Sequence, residues 1–226
     1  KRLLEYDDVM NKQRNVVYKK RNHALFGERL ALDLDNAFYV VAEGLVNSFR
    51  EQTDYEGFKL AVIVNFGLDT ALTKEELEKG NTVEAIEKLY QEATRNYQRR
   101  MQELAAHSVP VFKNIRSTQG NHIENVVVPF SDGKKVIQAL ANMQKTLETE
   151  GKELVNSLEK TITLILIDDA WKEHLRRMDD LKQSVQTAYL EQKDPLVIYK
   201  IEAFSAFKQM DDSVNKDIVS FLSHCA

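Results

Sequence analysis

A single cysteine, Cys225, stands next to the last residue of the 226, so the chain carries neither a disulfide framework nor a thiolate metal cluster. One cysteine fits a reducing compartment. Three prolines and eight glycines are too few for a many-turned β architecture and favour long helices. Charge of one sign is also missing. The 31 basic and 35 acidic residues are interspersed, and a formal net charge of −4 offers no bulk electrostatic case for nucleic acid. Neither a signal peptide nor a membrane-spanning run is evident. The apolar stretch Leu164 to Ile167 is closed by Thr163 and by Asp168-Asp169, and reads as one buried turn of a helix.

What is present is a soluble globular composition, 43% hydrophobic and 29% charged, enough for one large domain or two modest ones. The opening "KRLLEYDDVM" lacks an initiator methionine and is already inside a helical pattern, as in a piece taken from a longer protein. Leu3, Tyr6, Met10, Gln13, Val17, Lys20 and Ala24 recur at three- and four-residue steps, one helix face with two polar members. Gly27 allows a break. Leu30, Leu34, Ala37, Val41, Leu45 and Ser48 then continue in register, which predicts a helical pair or a kinked long helix over about residues 2–51.

From "TDYEGFKLAVIVNFGLD" onward, glycines at 57 and 67 predict compact loops and short helices. Asn81 with Glu84 makes a capping-type start for a helix whose stripe is Val83, Ile86, Tyr90, Ala93, Tyr97, Met101 and Leu104. "NHIENVVVPFSDGKK" breaks the pattern. Its valine run and Asp132-Gly133 predict a short strand and turn, with Pro129 confining the strand to an edge. Helix is expected to resume near Lys134 and run, with a break at Gly151, to about Ala188. Trp171, His174 or Leu175, Met178, Leu181 and Val185 share one face of it. Asp194-Pro195 forms an Ncap–N1 pair for a closing helix with a stripe of Val197, Ile201, Phe204, Phe207 or Lys208, Val214, Ile218 and Phe221. Two helices, each apolar on one side and joined by a short connection, should pack as an antiparallel hairpin.

Catalytic chemistry is harder to find. The Gly-Lys pairs at 133 and 151 lack both the following Ser/Thr and the glycine five residues before, so neither is a phosphate-cradling loop. The acidic pairs Asp7-Asp8, Asp168-Asp169 and Asp179-Asp180 point about 100° apart on a helix and do not converge on one atom. In "DDAWKEHL", Glu173 and His174 are adjacent and Trp171 occupies the position three before the histidine, so the spacing of a helical metal motif fails. His174 is read as a packing or hydrogen-bonding neighbour of Trp171, and Glu173 with Arg177 as an i,i+4 ion pair. A free-standing helical adaptor remains a second class, and a carboxylate-rich helical metalloenzyme a third that the spacings disfavour.

Two long, irregular strings carry a resemblance. "LLEYDDVMNKQRNVVYKKRN" at 3–22 and "DDAWKEHLRRMDDLKQSVQ…EQKDPLVIYKIEAFSAF" at 168–207 resemble, in order and spacing, the C-terminal half of the SecA family of preprotein translocase ATPases. The middle third matches only in general character, and the strand-and-turn segment at 120–135 looks like a lineage-specific elaboration. The resemblance implies a mostly α fold: a first part of a helical scaffold at 1–52, a helical wing domain at 53–151, and the scaffold's second part with a two-helix finger at 152–226, its tip at about 187–195. Trp171, His174, Leu175 and Met178 would pack the finger on the scaffold, and Glu5, Tyr6, Asp7, Asp8 and Arg14 would face the motor domains. The family carries a tyrosine two residues before the Gln of "QKDP"; here that position is Leu190 and the tyrosine is its neighbour Tyr189. Tyr189, Leu190, Gln192 and Lys193 are therefore the expected contacts with channel and substrate.

The same resemblance implies partners and cofactors for the intact parent: the SecY channel (SecYEG), translocating preproteins, the absent motor domains and a homodimer contact, with ATP and Mg2+ in those motor domains and zinc in the C-terminal tail. It implies a cytoplasmic protein attached peripherally to the inner face of the bacterial plasma membrane. Within residues 1–226 it implies no cofactor, no metal and no catalysis.

Overall fold

The computed structural model describes residues 2–120, 122–186 and 194–226. The expected tip residues Tyr189, Leu190, Gln192 and Lys193 lie outside the described residues. The described chain is mostly α-helical, with one two-stranded antiparallel sheet. Its helices are α1 (Arg2–Phe26), α2 (Leu30–Gln52), α3 (Tyr55–Phe66), α4 (Lys74–Glu78), α5 (Thr82–Gln119), α6 (Met143–Glu148), α7 (Lys152–Ser184) and α8 (Pro195–His224), and its strands are β1 (Asn125–Ser131) and β2 (Val136–Asn142).

The chain forms two compact units: Lys1–Arg29 with Thr163–Val214, and Leu30–Ile162 with Asn215–Ala226. In the second unit the core is built from Phe38, Phe58, Phe66, Leu72, Leu77 and Leu89, all fully buried, closed from the end of α8 by Val219. Local signals set the boundaries there. The Asp54 side chain accepts the Gly57 amide (2.9 Å) at the start of α3, and Gly67 ends it in the left-handed conformation, where a side chain would be strained. Thr73 and Glu76 form a reciprocal capping box on α4. Asn81 accepts the amides of Val83 and Glu84, as its sequence context predicts.

α5 runs on to Gln119, well beyond Leu104. Pro110 removes the amide that would bond to Ala106, but Phe112, buried on the next turn, holds the helix down beyond the break. Its buried line is Ala85, Ile86, Leu89, Ala93, Met101 and Ala105, while Val83, expected at the head of the stripe, is 68% exposed. Tyr97, half-buried, donates its hydroxyl to Glu159. Burial and the facing carboxylate raise the Tyr97 pKa well above normal, and burial also raises that of Glu159 against the hydrogen bond, which lowers it.

The expected helix from Lys134 is corrected by the structure: residues 136–142 are a strand. Ile137, Ala139 and Ala141 are buried while Val136, Gln138 and Leu140 are exposed, a period of two that outweighs helix propensity once β1 is alongside. The strands pair from Asn125↔Asn142 to Ser131↔Val136. At the turn, Asp132 Oδ1 accepts the amides of Lys134 (2.9 Å) and Lys135 (2.7 Å), and Gly133 takes φ +85°. Helix resumes only at Met143, capped by Asn142, and the predicted break at Gly151 is real, with φ +86°.

Candidate functional site

The first unit packs α1 against α7 and α8. α1 follows its predicted face closely: Gln13, Val17 and Ala24 are buried, although Leu3 at the head of the stripe is 73% exposed. On α7, Trp171, His174 and Met178 are buried and Leu175 half-buried, and Val185, just past its end, is buried as well. The phase of α8 differs from expectation. Val197, Ile201 and Phe204 are exposed at 52%, 62% and 72%, whereas Leu196, Tyr199, Ala203 and Ala206 are buried. Both sets have helical spacing, so the sequence offered two apolar faces. The alanine-bearing one is the face buried in the first unit, where the Ala203 carbonyl meets Gln13 of α1.

The polar member of the α1 stripe explains how these helices are held in register. Gln13 Nε2 donates to the Ala203 carbonyl on α8 (3.0 Å), which leaves its Oε1 as acceptor for His174 Nε2–H on α7 (2.7 Å). One buried amide thus bridges three helices. His174 stacks on Trp171 with ring centroids 5.5 Å apart and meets Phe207 edge-on at 5.7 Å. Burial, reinforced by the positive charge of Arg177, pulls its pKa down to about 4, so the ring is neutral at pH 7. Its Nδ1 is buried without a partner. A cleft of about 480 Å³ lies beside it, lined by residues including Glu173, Arg177 and Asp180.

Towards the N-terminus of α1 the contacts become aromatic and ionic. Tyr6 meets Tyr199 at 4.7 Å between centroids and carries the Lys182 ammonium at 5.7 Å. Glu5 pairs with Lys200 (3.2 Å) and Asp7 with Lys182 (3.8 Å). Asp8 and Arg14 are exposed, and Arg14 reaches Asn11 (3.2 Å). Farther along, Arg21 grips Asp168 through two nitrogens (2.9 and 3.4 Å) and Lys20 pairs with Asp211. All are surface pairs, each contributing about 0–1 kcal/mol. Glu173 pairs with Arg176 (3.4 Å) in place of the expected Arg177. At the head of α8, Asp194 Oδ1 accepts the Leu196 amide (3.0 Å), the cap that Asp-Pro predicted.

This arrangement holds helices together. Among the described residues, no three His, Cys, Asp or Glu side chains come together in a way that could hold a metal ion. A phosphate would need free loop amides, and neither Gly-Lys pair supplies them. At Gly133 the following amides are taken by Asp132, and a Cβ built on Gly151 would lie 2.3 Å from the Ala105 carbonyl, so no ligand fits there. No described helix is long and apolar enough to cross a membrane.

A family model described as "SecA Wing and Scaffold domain" matches residues 1–226. The chain belongs to the SecA family. It is 48% identical over 222 residues to a protein translocase subunit SecA of Christiangramia forsetii, 46% to one of Flavobacterium psychrophilum and 43% to one of Parabacteroides distasonis, in each case covering 98% of this chain. The chain spans about one fifth (20%) of the length of these SecA relatives. It is therefore similar, along nearly its whole length, to one portion of a protein-export subunit.

Within that frame, Gln13 and Tyr199 are the residues that sequence reasoning passed over. Gln13 was visible as a polar member of an otherwise apolar stripe. Tyr199 was hidden by the larger side chains of the competing α8 face.

Proposed function

We propose that the chain is the scaffold, wing and finger portion of a SecA motor, divided at about 1–52, 53–151 and 152–226, and that it transmits ATP-driven movement of the parent's other domains to a preprotein in the SecY channel. The single observation that carries this reading is the Gln13 bridge. By tying α1 to both α7 and α8, it joins the two helices that flank residues 187–193 in the chain. A stiff lever is what a mechanical element requires. Catalysis is no part of this reading: ATP and Mg2+ belong to the parent's motor domains and zinc to its tail.

Tyr189 and Leu190 suit a contact that must accept unrelated sequences, because ring and branched aliphatic surfaces bind through area and shape without demanding a particular hydrogen-bond partner. Trp171, His174, Leu175 and Met178 hold the finger on the scaffold in this reading. Glu5, Tyr6, Asp7, Asp8 and Arg14 lie towards the motor domains, and the exposed Val197, Ile201 and Phe204 leave α8 an apolar face for a partner. Such a protein works in the cytoplasm, peripherally at the membrane, with SecYEG, and a second copy of the chain is a further candidate partner. The test is site-specific photo-cross-linking from positions 189 and 190 of the full-length protein with channel and preprotein present. Adducts to the preprotein are expected; adducts confined to the protein's own chain would overturn the proposal.

A further inference from the structure

The free edge of β1 is already occupied at one position. Ser131 and Ala226 exchange both backbone hydrogen bonds: the Ala226 amide donates to the Ser131 carbonyl (3.1 Å) and the Ser131 amide to the Ala226 carbonyl (3.3 Å). Such a reciprocal pair is the hydrogen-bonded unit of an antiparallel ladder. It lies on the side of β1 away from β2. The Asp132 amide donates to Lys135 (3.3 Å) and the Met143 amide to Glu124 (2.9 Å), so even-numbered residues along this segment bond towards β2 and odd-numbered ones point outward. Outward groups beyond Ser131 are therefore the Pro129 carbonyl and both backbone groups of Val127 and Asn125. Proline stands where it removes no bond from the hairpin.

Direction is fixed as well. In an antiparallel ladder starting at Ser131–Ala226, residues after Ala226 run back along β1 towards Asn125, over its whole outer edge. Beside that path lies an apolar groove of about 530 Å³, lined by Leu104, His107, Val111 and Ile115 of α5, by β1, and at one end by Cys225 and Ala226. Arg100 holds this end in place, donating to the Cys225 carbonyl (3.1 Å). An open edge with outward amides is a template for another strand.

We propose that in the full-length protein the polypeptide following Ala226 adds to β1 as a third antiparallel strand, opposite Pro129, Val127 and Asn125 in turn, and covers the groove against α5. The occupant is drawn from the longer protein because the chain spans about 20% of its SecA relatives and its last residue is already seated in register on this edge. Side chains of the first, third and fifth residues after Ala226 then share the face of Phe130, Val128 and Val126. With Phe130 and its partner Ile137 buried on that face, those residues are apolar. The inference is independent of what the finger contacts.

Amide hydrogen exchange on the full-length protein tests it. The Val127 amide is expected to exchange about 100-fold more slowly in the full-length protein than in the same protein stopped after Ala226. The amides of Val128, Phe130 and Asp132 bond towards β2 or the turn or lie off the outer edge, and serve as the folded control. Should the stopped protein lose that control, Ala226→Pro in the full-length protein removes the seating bond to Ser131 and should speed exchange at Val127 at least about 10-fold with the control unchanged. Equal exchange at Val127 across these proteins would overturn the proposal. So would protection that grows with protein concentration, which assigns the edge to a second copy.

Discussion

His174 and Gln13, 161 positions apart in the chain, share a 2.7 Å hydrogen bond in the buried centre of the first unit. Because the Gln13 amide nitrogen is committed to Ala203, the proton of the neutral imidazole sits on Nε2. The register of three helices therefore depends on one amide and one ring in one protonation state.

A pH dependence follows. His174 is held neutral with a pKa of about 4, below the ordinary 6.5. Between these values the unfolded chain binds more protons than the folded one, so stability falls as pH drops from about 6.5 towards about 4 and is fully present above 6.5. At pH 5.5 the loss from this residue is about 1 kcal/mol relative to pH 7.5. Urea unfolding at the two pH values, compared with His174→Gln, measures it; an identical pH difference in the variant contradicts the assignment.

Removing one member of the bridge should cost more than removing both. Gln13→Leu strands the His174 N–H and leaves the Ala203 carbonyl with only its helix bond, an expected loss of about 2–3 kcal/mol. Gln13→Leu with His174→Leu replaces both polar partners by apolar ones. A double-mutant cycle on the folding free energy should then give a coupling of at least about 1 kcal/mol; coupling near zero would show that the bond contributes nothing.

The phase of α8 separates two aromatic residues five positions apart. Tyr199 is 1% exposed and packs against the tilted ring of Tyr6, so Tyr199→Ala should destabilise by about 3–5 kcal/mol. Phe204 is 72% exposed, and Phe204→Ser should change stability by no more than about 0.5 kcal/mol. Thermal melts of the two variants decide between this phase and the reverse.

The finger reading makes a functional prediction. In the full-length protein, Tyr189→Ala with Leu190→Ala should reduce preprotein translocation several-fold and leave basal ATP hydrolysis within about two-fold, because the proposal assigns the nucleotide chemistry to other domains. Undiminished translocation into vesicles would count against a substrate-contacting tip.

Much of this protein was decided locally and so was legible in its residues. Gly27 and Gly67 end helices because a left-handed residue cannot continue one, and Gly151 takes the same conformation just before α7. Asp54, Asn81 and Asp194 begin them because a short acceptor satisfies orphan amides. The two strings that resemble the SecA family were likewise local. Other features depended on partners far away in sequence. Val136 to Asn142 became a strand only because β1 lay beside it. α8 buried its alanines and exposed Phe204 on packing in the first unit, a choice that one helix's periodicity cannot make. Gln13 looked like a blemish in an apolar stripe, and the tertiary structure made it the bridge, since a buried amide is tolerated only where donors and acceptors from two other helices meet it.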